Sequence, residues 1–152
     1  MENNLFSEHF SYHEMTYSPT ANRLGIANAP DAEAIDNLKR LCDTVLEPIR
    51  ARYGKPIVIT SGYRSSKLNT AIGGAKNSDH KFGAACDMRS VSDKPEENER
   101  LFKVAQALIK EGEITVRQLI DEGGGKGGYD WIHISINHSK NPTKVNQILH
   151  LK

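Results

Sequence analysis

The chain has 152 residues, of which 20 are Lys or Arg and 19 are Asp or Glu, giving a formal charge of +1 with 38% hydrophobic residues. That length suits one domain burying about two-thirds of its unfolded surface, and the near-neutral balance supplies no overall field to draw nucleic acid or an anionic membrane. No stretch reaches the roughly 18 apolar residues that cross a bilayer, and residues 1–30 lack the basic start and apolar run of a secretory signal, so synthesis and folding in the cytoplasm are expected.

Residues 1–30, with Phe6, Phe10, Tyr12, Met15 and Tyr17 among polar neighbours and Pro19 and Pro30 as punctuation, read as short helical turns and loops laid against the body. From Asp31 the residues Ile35, Leu38, Leu41, Cys42, Val45, Leu46 and Ile49 recur at helical spacing up to Tyr53, with Gly54 as the residue past the helix end. Pro48 should kink or divide the last turns, because it lacks the N–H that an interior position donates. Pro56 to Thr60 is β-branched and bounded by Gly54 and Gly62, which predicts a buried strand with Tyr63 and Arg64 just past its end. Ser66 to Ile72 predicts a short helix stopped at Gly73-Gly74. An irregular stretch then delivers Ser78 and His80, and Ala84 to Met88 predicts the next strand, carrying Asp87.

Pro95 opens a second long helix, with Leu101, Val104, Ala105, Leu108 and Ile109 on one face and Gly112 at its exit. Ile114 to Ile120 and Trp131 to Ile136 predict two further strands, joined by a mobile glycine-rich hairpin loop, Gly123 to Gly128. That loop lacks the Gly-Lys-Ser/Thr ending and the following helix of a phosphate cradle. Asn137 to Lys152 reads as a polar tail, and Cys42 and Cys86 read as two buried thiols rather than a disulfide. No repeat or linker divides the chain. The order of elements gives an α+β class, one domain over 1–152.

His80 and Asp87 stand seven positions apart in Ser78-Asp79-His80-Lys81-Phe82-Gly83-Ala84-Ala85-Cys86-Asp87, and His133 follows much later in Trp131-Ile132-His133. Two neutral imidazoles and a carboxylate fill three of the four tetrahedral positions of zinc, leaving the last for a water whose pKa falls to about 7. Periodicity places each residue at or beside a strand end, where ligands are commonly held, but does not show that they meet. Singly, each has a plainer reading as a hydrogen-bonded histidine or a turn-capping aspartate. His13-Glu14-Met15-Thr16-Tyr17 lacks the second histidine of a zinc helix. His9 and His13 read as a polar helix face, and His138 and His150 as solvated residues of the tail. No Ser or Cys sits in a Gly-x-Ser-x-Gly turn, so a covalent mechanism has no obvious nucleophile.

Ser61-Gly62-Tyr63-Arg64-Ser65, Leu68-Asn69, Gly73-Gly74, Ser78-x-His80, Gly83-x-Ala85-x-Asp87 and Trp131-x-His133-x-Ser135 together resemble the zinc D-alanyl-D-alanine carboxypeptidase family, which includes vancomycin-resistance dipeptidases and phage L-alanyl-D-glutamate endolysins. The resemblance runs from about Phe6 to Ile136. It implies one zinc ion held by His80, Asp87 and His133 in a cleft floored by an antiparallel sheet flanked by helices. It implies a proton-shuttling acid at Asp130, where relatives often carry Glu, with Glu122 in reserve; Asp121 should face the other way. It gives Arg64 to substrate binding or to the oxyanion of a tetrahedral intermediate. Trp131 is a cleft wall or core, and Ser78 and Gln118 orient a ligand, touch substrate or are structural. The expected substrate is bacterial peptidoglycan or its stem peptides, cut by a monomer acting without nucleic acid or membrane. A phage or prophage lysis enzyme released through a holin fits the resemblance. The rivals are a non-catalytic zinc-containing wall-binding module and a soluble D-Ala-D-Ala dipeptidase.

Overall fold

Local chemistry sets where the helices start and stop. In the computed structural model, which describes residues 4–123 and 128–151, the Asp31 carboxylate accepts the Ala34 N–H and so caps the helix α3, Ala32–Leu41, a bond worth about 1 kcal/mol. Pro48 takes effect upstream of itself. Cys42–Leu46 is π-helical, with the Glu47 N–H donating to the Cys42 carbonyl five residues back, and α4, Glu47–Tyr53, then runs to Gly54. The helix is thus widened where the missing proline N–H would have bonded the Thr44 carbonyl, rather than cut.

Ahead of α3 lie β1 (Leu5–Ser7) and β2 (Phe10–Ser11), paired with each other, then α1 (Tyr12–Thr16) and α2 (Pro19–Leu24). The sequence predicts turns here; the structure adds the small antiparallel hairpin. Next come β3 (Ile57–Ser61), α5 (Ser66–Ala71), β4 (Ala85–Ser90), α6 (Pro95–Lys110), β5 (Gln118–Glu122), β6 (Trp131–Ser135) and β7 (Gln147–Leu151). Strands β3 to β7 form one sheet in the order β3-β4-β6-β5-β7.

The α+β class stands, with two corrections of detail. Strand β7 comes from the segment read as a tail, and it pairs parallel to β5, so the sheet is mixed rather than wholly antiparallel. β5 starts at Gln118, because Ile114 and Val116 bury themselves against the core before the ladder begins. The glycine-rich hairpin expected at 123–128 falls largely on 124–127, outside the described residues.

Strand alternation sorts the side chains. Cys86 and Met88, Ile132 and Ile134, and Leu119 point to the helices and meet Leu38, Leu41, Val45, Leu46 and Ile49 together with Leu101, Phe102, Ala105 and Leu108 of α6. Each such side chain removed from water contributes about 1.5–3 kcal/mol. Cys42 and Cys86 are free and buried in that layer. The alternate residues, Asp87, His133 and Ile120, face the other way, on the side of the sheet opposite these helices. No helix among the described residues is long and apolar enough to cross a membrane.

Candidate metal centre

Three segments deliver the donor atoms. Asp87 of β4 lies directly opposite His133 of β6 in the ladder, so both side chains leave the same face of the sheet. His80 comes from a single 3₁₀ turn, Asp79–Phe82, whose start is capped by the Ser78 hydroxyl accepting the His80 N–H at 3.2 Å. The turn ends at Gly83, where φ is +70° and an added Cβ would strike the Ala34 carbonyl oxygen, so only glycine suits the position.

The ring of His80 is oriented from behind. Its Nδ1 lies 2.7 Å from the Gly62 carbonyl oxygen; a carbonyl only accepts, so Nδ1 carries the proton and Nε2 is left as a lone-pair donor in the neutral ring. That Nε2 stands 3.3 Å from Asp87 Oδ1, and His133 Nδ1 stands 3.1 Å from the same oxygen. The two rings are edge to face with centroids 5.2 Å apart. All three donor atoms lie within 4.8 Å of one another, and among the described residues no other group of three or more His, Cys, Asp or Glu gathers in this way. Two ligands bound about 2.1 Å from a tetrahedral zinc sit about 3.4 Å apart, so the 3.1 and 3.3 Å separations fit the edges of such a shell. Burial pushes the Asp87 carboxyl up, but the polar surroundings supplied by His133 and His80 outweigh it and hold the group well below the usual carboxylate range. The side chains of His80, Asp87 and His133 retain 3%, 13% and 13% of their exposure, so all three are largely withdrawn from solvent.

Arg64 is brought to the same place. Its backbone N–H donates to the His80 carbonyl at 3.0 Å. The guanidinium donates to the Ser61 hydroxyl and to Asn69 Oδ1 at 3.3 and 3.0 Å, and Nη2 stands 3.8 Å from Asp87 Oδ2. Desolvation lowers its pKa from the ordinary arginine value while the charges of Asp87 and Glu122 pull upward, and the group stays a cation. The buried Asn69, which the sequence marks only as part of a motif, is itself fixed by donating to the Ala75 carbonyl.

The remaining expected residues separate. Trp131 shares the His133 face and keeps 38% exposure, so it is not core. Glu122 lies opposite Trp131 on that face. Asp130 is an exposed residue immediately before β6, tied through its N–H to the Glu122 carbonyl at 3.0 Å. Asp121 does face away: it is buried, accepting the Tyr129 N–H and facing His150. Ser78 serves as the turn cap. Gln118 Nε2 donates to Gln147 Oε1 at 2.6 Å, which commits its amide to β7.

Two contributors escaped the sequence reading. The Gly62 carbonyl is backbone and leaves no side-chain signal. Asn98, fully buried on α6, accepts the Ser90 N–H and donates to the Tyr129 and Asp130 carbonyls, fixing the turn that leads into β6. A polar residue in register with Leu101, Ala105 and Leu108 was the available clue. His138, expected to be solvated, is corrected: its side chain is buried and bonded to Asp79 at 2.7 Å.

Against known proteins, the profile of the Peptidase M15 family matches residues 8–135. Among solved structures, the L-Ala D-Glu endopeptidase ChiX of Serratia marcescens is similar at 19% identity and a TM-score of 0.47, over 70% of this chain and 87% of that one. No curated protein matches significantly.

Proposed function

The chain belongs to the Peptidase M15 family, and we propose that it is a zinc-dependent peptidase hydrolysing an amide bond in the peptide stem of bacterial peptidoglycan. The observation that carries this reading is the meeting of His80 Nε2, His133 Nδ1 and Asp87 Oδ1 on one open face of the sheet. His80, Asp87 and His133 would hold the zinc, which would supply Lewis acidity and a water acidified to about pKa 7.

The protein's side chains do the rest. Asp87, kept anionic, binds and aligns both rings, and the Gly62 carbonyl holds His80 in the tautomer that leaves Nε2 able to ligate. Asp130 takes the proton from the attacking water and returns it to the leaving amine, with Glu122 as the reserve base on the same face as His133. Arg64 binds a stem-peptide carboxylate or the developing oxyanion. Trp131 walls the cleft, Ser78 fixes the His80 turn, and Gln118 braces the edge of the sheet. The carboxypeptidase or endopeptidase type, monomeric action on the wall, one domain across 1–152 and a role as a phage endolysin all belong to this proposal.

The test is digestion of purified cell wall by the native chain, by the chelator-treated chain, and after zinc is restored, with released muropeptides identified by mass spectrometry. Activity should vanish with chelation, return with zinc, and be absent in a folded His133→Ala variant that no longer holds zinc stoichiometrically. Full activity in that variant would overturn the assignment.

A further inference from the structure

The Ser78-x-His80 motif encloses a residue that the chemistry above does not use. Asp79 is a carboxylate whose side chain is 4% exposed, one position before a proposed ligand. A buried carboxylate is tolerated only where its oxygens are bonded, and here three partners distant in sequence converge on it. Arg117 Nη1 donates to Oδ2 at 2.8 Å, and Asn141 Nδ2 donates to Oδ1 at 2.6 Å. His138 Nε2 also meets Oδ1, at 2.7 Å.

The partners are themselves fixed. Arg117, at the entry to β5, spends its Nε on the Pro142 carbonyl at 3.0 Å. Asn137 closes the 137–144 loop on itself, donating to the Lys144 carbonyl and accepting the Lys144 N–H, and its own carbonyl is gripped by Arg40. His138 reaches His80 from both sides: it bonds Asp79 through Nε2, and its ring stacks on Phe82 with centroids 5.1 Å apart. The 3₁₀ turn carrying His80 is therefore held at the residue before it and at the residue two after it by one side chain. His138, Asn141 and Pro142 lie beyond residue 135, where the family match ends.

We infer that Asp79 is a positioning residue for His80, and that the segment after β6, through His138 and Asn141, is a clamp that sets the affinity of the metal centre. The inference rests on the metal-centre reading above. A ligand carried on a single turn, with one hydrogen bond behind its ring, keeps its aim only if the turn cannot roll. Supports one step behind a metal ligand are worth about 10–100-fold in affinity, and a network whose members share one carboxylate loses more than a single bond when one member is removed.

The experiment measures the zinc dissociation constant by competition with a chromophoric chelator, alongside the melting temperature of the metal-free chain, for the parent, His138→Ala, Asn141→Ala and the distant core variant Ile49→Val. The expected result is zinc binding weakened at least tenfold in His138→Ala and at least threefold in Asn141→Ala. Ile49→Val should stay within twofold of the parent despite a lowered melting temperature, which separates positioning from general loosening. Smaller changes in the two clamp variants, or an equal loss in Ile49→Val, overturn the clamp. Should His138→Ala fail to fold, Asn141→Ala, which removes only the two bonds that its amide donates to Asp79 and to the Asn77 carbonyl, decides by its threefold line. A parent chain that binds no zinc would remove the metal-centre reading together with the clamp, whereas affinity retained in the variants removes the clamp alone.

Discussion

Replacing Gly62 with alanine adds one carbon where there is no room for it. A Cβ at that position would fall against the carbonyl group of Met15, a fully buried residue of α1 whose oxygen already accepts the Tyr63 N–H at 2.8 Å. The obstacle is backbone, so a rotamer change cannot relieve it; either α1 or the end of β3 must move. Overpacking of this kind costs about 1–3 kcal/mol, and loss of the Tyr63 to Met15 hydrogen bond adds about 1 kcal/mol. At about 2–4 °C per kcal/mol for a chain of this size, Gly62→Ala should melt about 4–16 °C below the parent. The same movement carries the Gly62 carbonyl away from His80 Nδ1, its partner at 2.7 Å, so zinc affinity should fall by about 10–100-fold. Thermal unfolding of the metal-free chain and chelator competition measure the two effects separately. A melting point within about 2 °C of the parent, with unchanged zinc affinity, would refute both the steric argument and the role of the carbonyl.

Asp130→Asn should keep zinc bound while turnover on cell wall falls by about 10²-fold or more; unchanged turnover together with a large loss in Glu122→Gln would move the proton shuttle to Glu122. Asn98→Ala strands the Ser90 N–H and frees the Tyr129 and Asp130 carbonyls, so urea unfolding should show a loss of about 2–4 kcal/mol, and a loss below about 0.5 kcal/mol would count against it. Glu47 accepts bonds from the Ser7 hydroxyl and from the backbone and ring of His9. Burial pushes its pKa up, but those bonds prevail and set it below the ordinary 4.5. Its stabilising contribution should be complete above that value and disappear as pH falls through the lower folded-state pKa. The stability gap between the parent and Glu47→Gln should accordingly shrink on acidification, and a gap independent of pH would contradict the assignment.

The two long helices were legible because their signals are local: Asp31 and Pro95 at the starts, apolar residues at helical spacing, and Gly54 at an exit. The strands bearing Asp87 and His133 were legible for the same reason, with short β-branched or apolar runs between breakers. What failed to show depends on contacts remote in the chain. β7 is a five-residue strand in a polar segment, and only the run Ile148-Leu149-His150-Leu151 hinted at it; its pairing with β5 spans 29 positions from Gln118 to Gln147. The burial of His138 depends on Asp79, 59 residues earlier, and no window along the sequence holds both. The π-helical turn before Pro48 shows a subtler limit: the proline announces a disturbance, but whether the helix breaks or widens is decided by the core packed around Val45, Leu46 and Ile49.

Because Asp87 and His133 are direct partners across two adjacent strands, the centre has a reading frame. Inserting or deleting one residue within β4 or β6 would turn the imidazole or the carboxylate through the sheet into the hydrocarbon layer and bring Ile132 or Cys86 out in its place. Chain length can therefore change at the ends of β4 and β6 without reversing either side chain, but not within the two strands themselves.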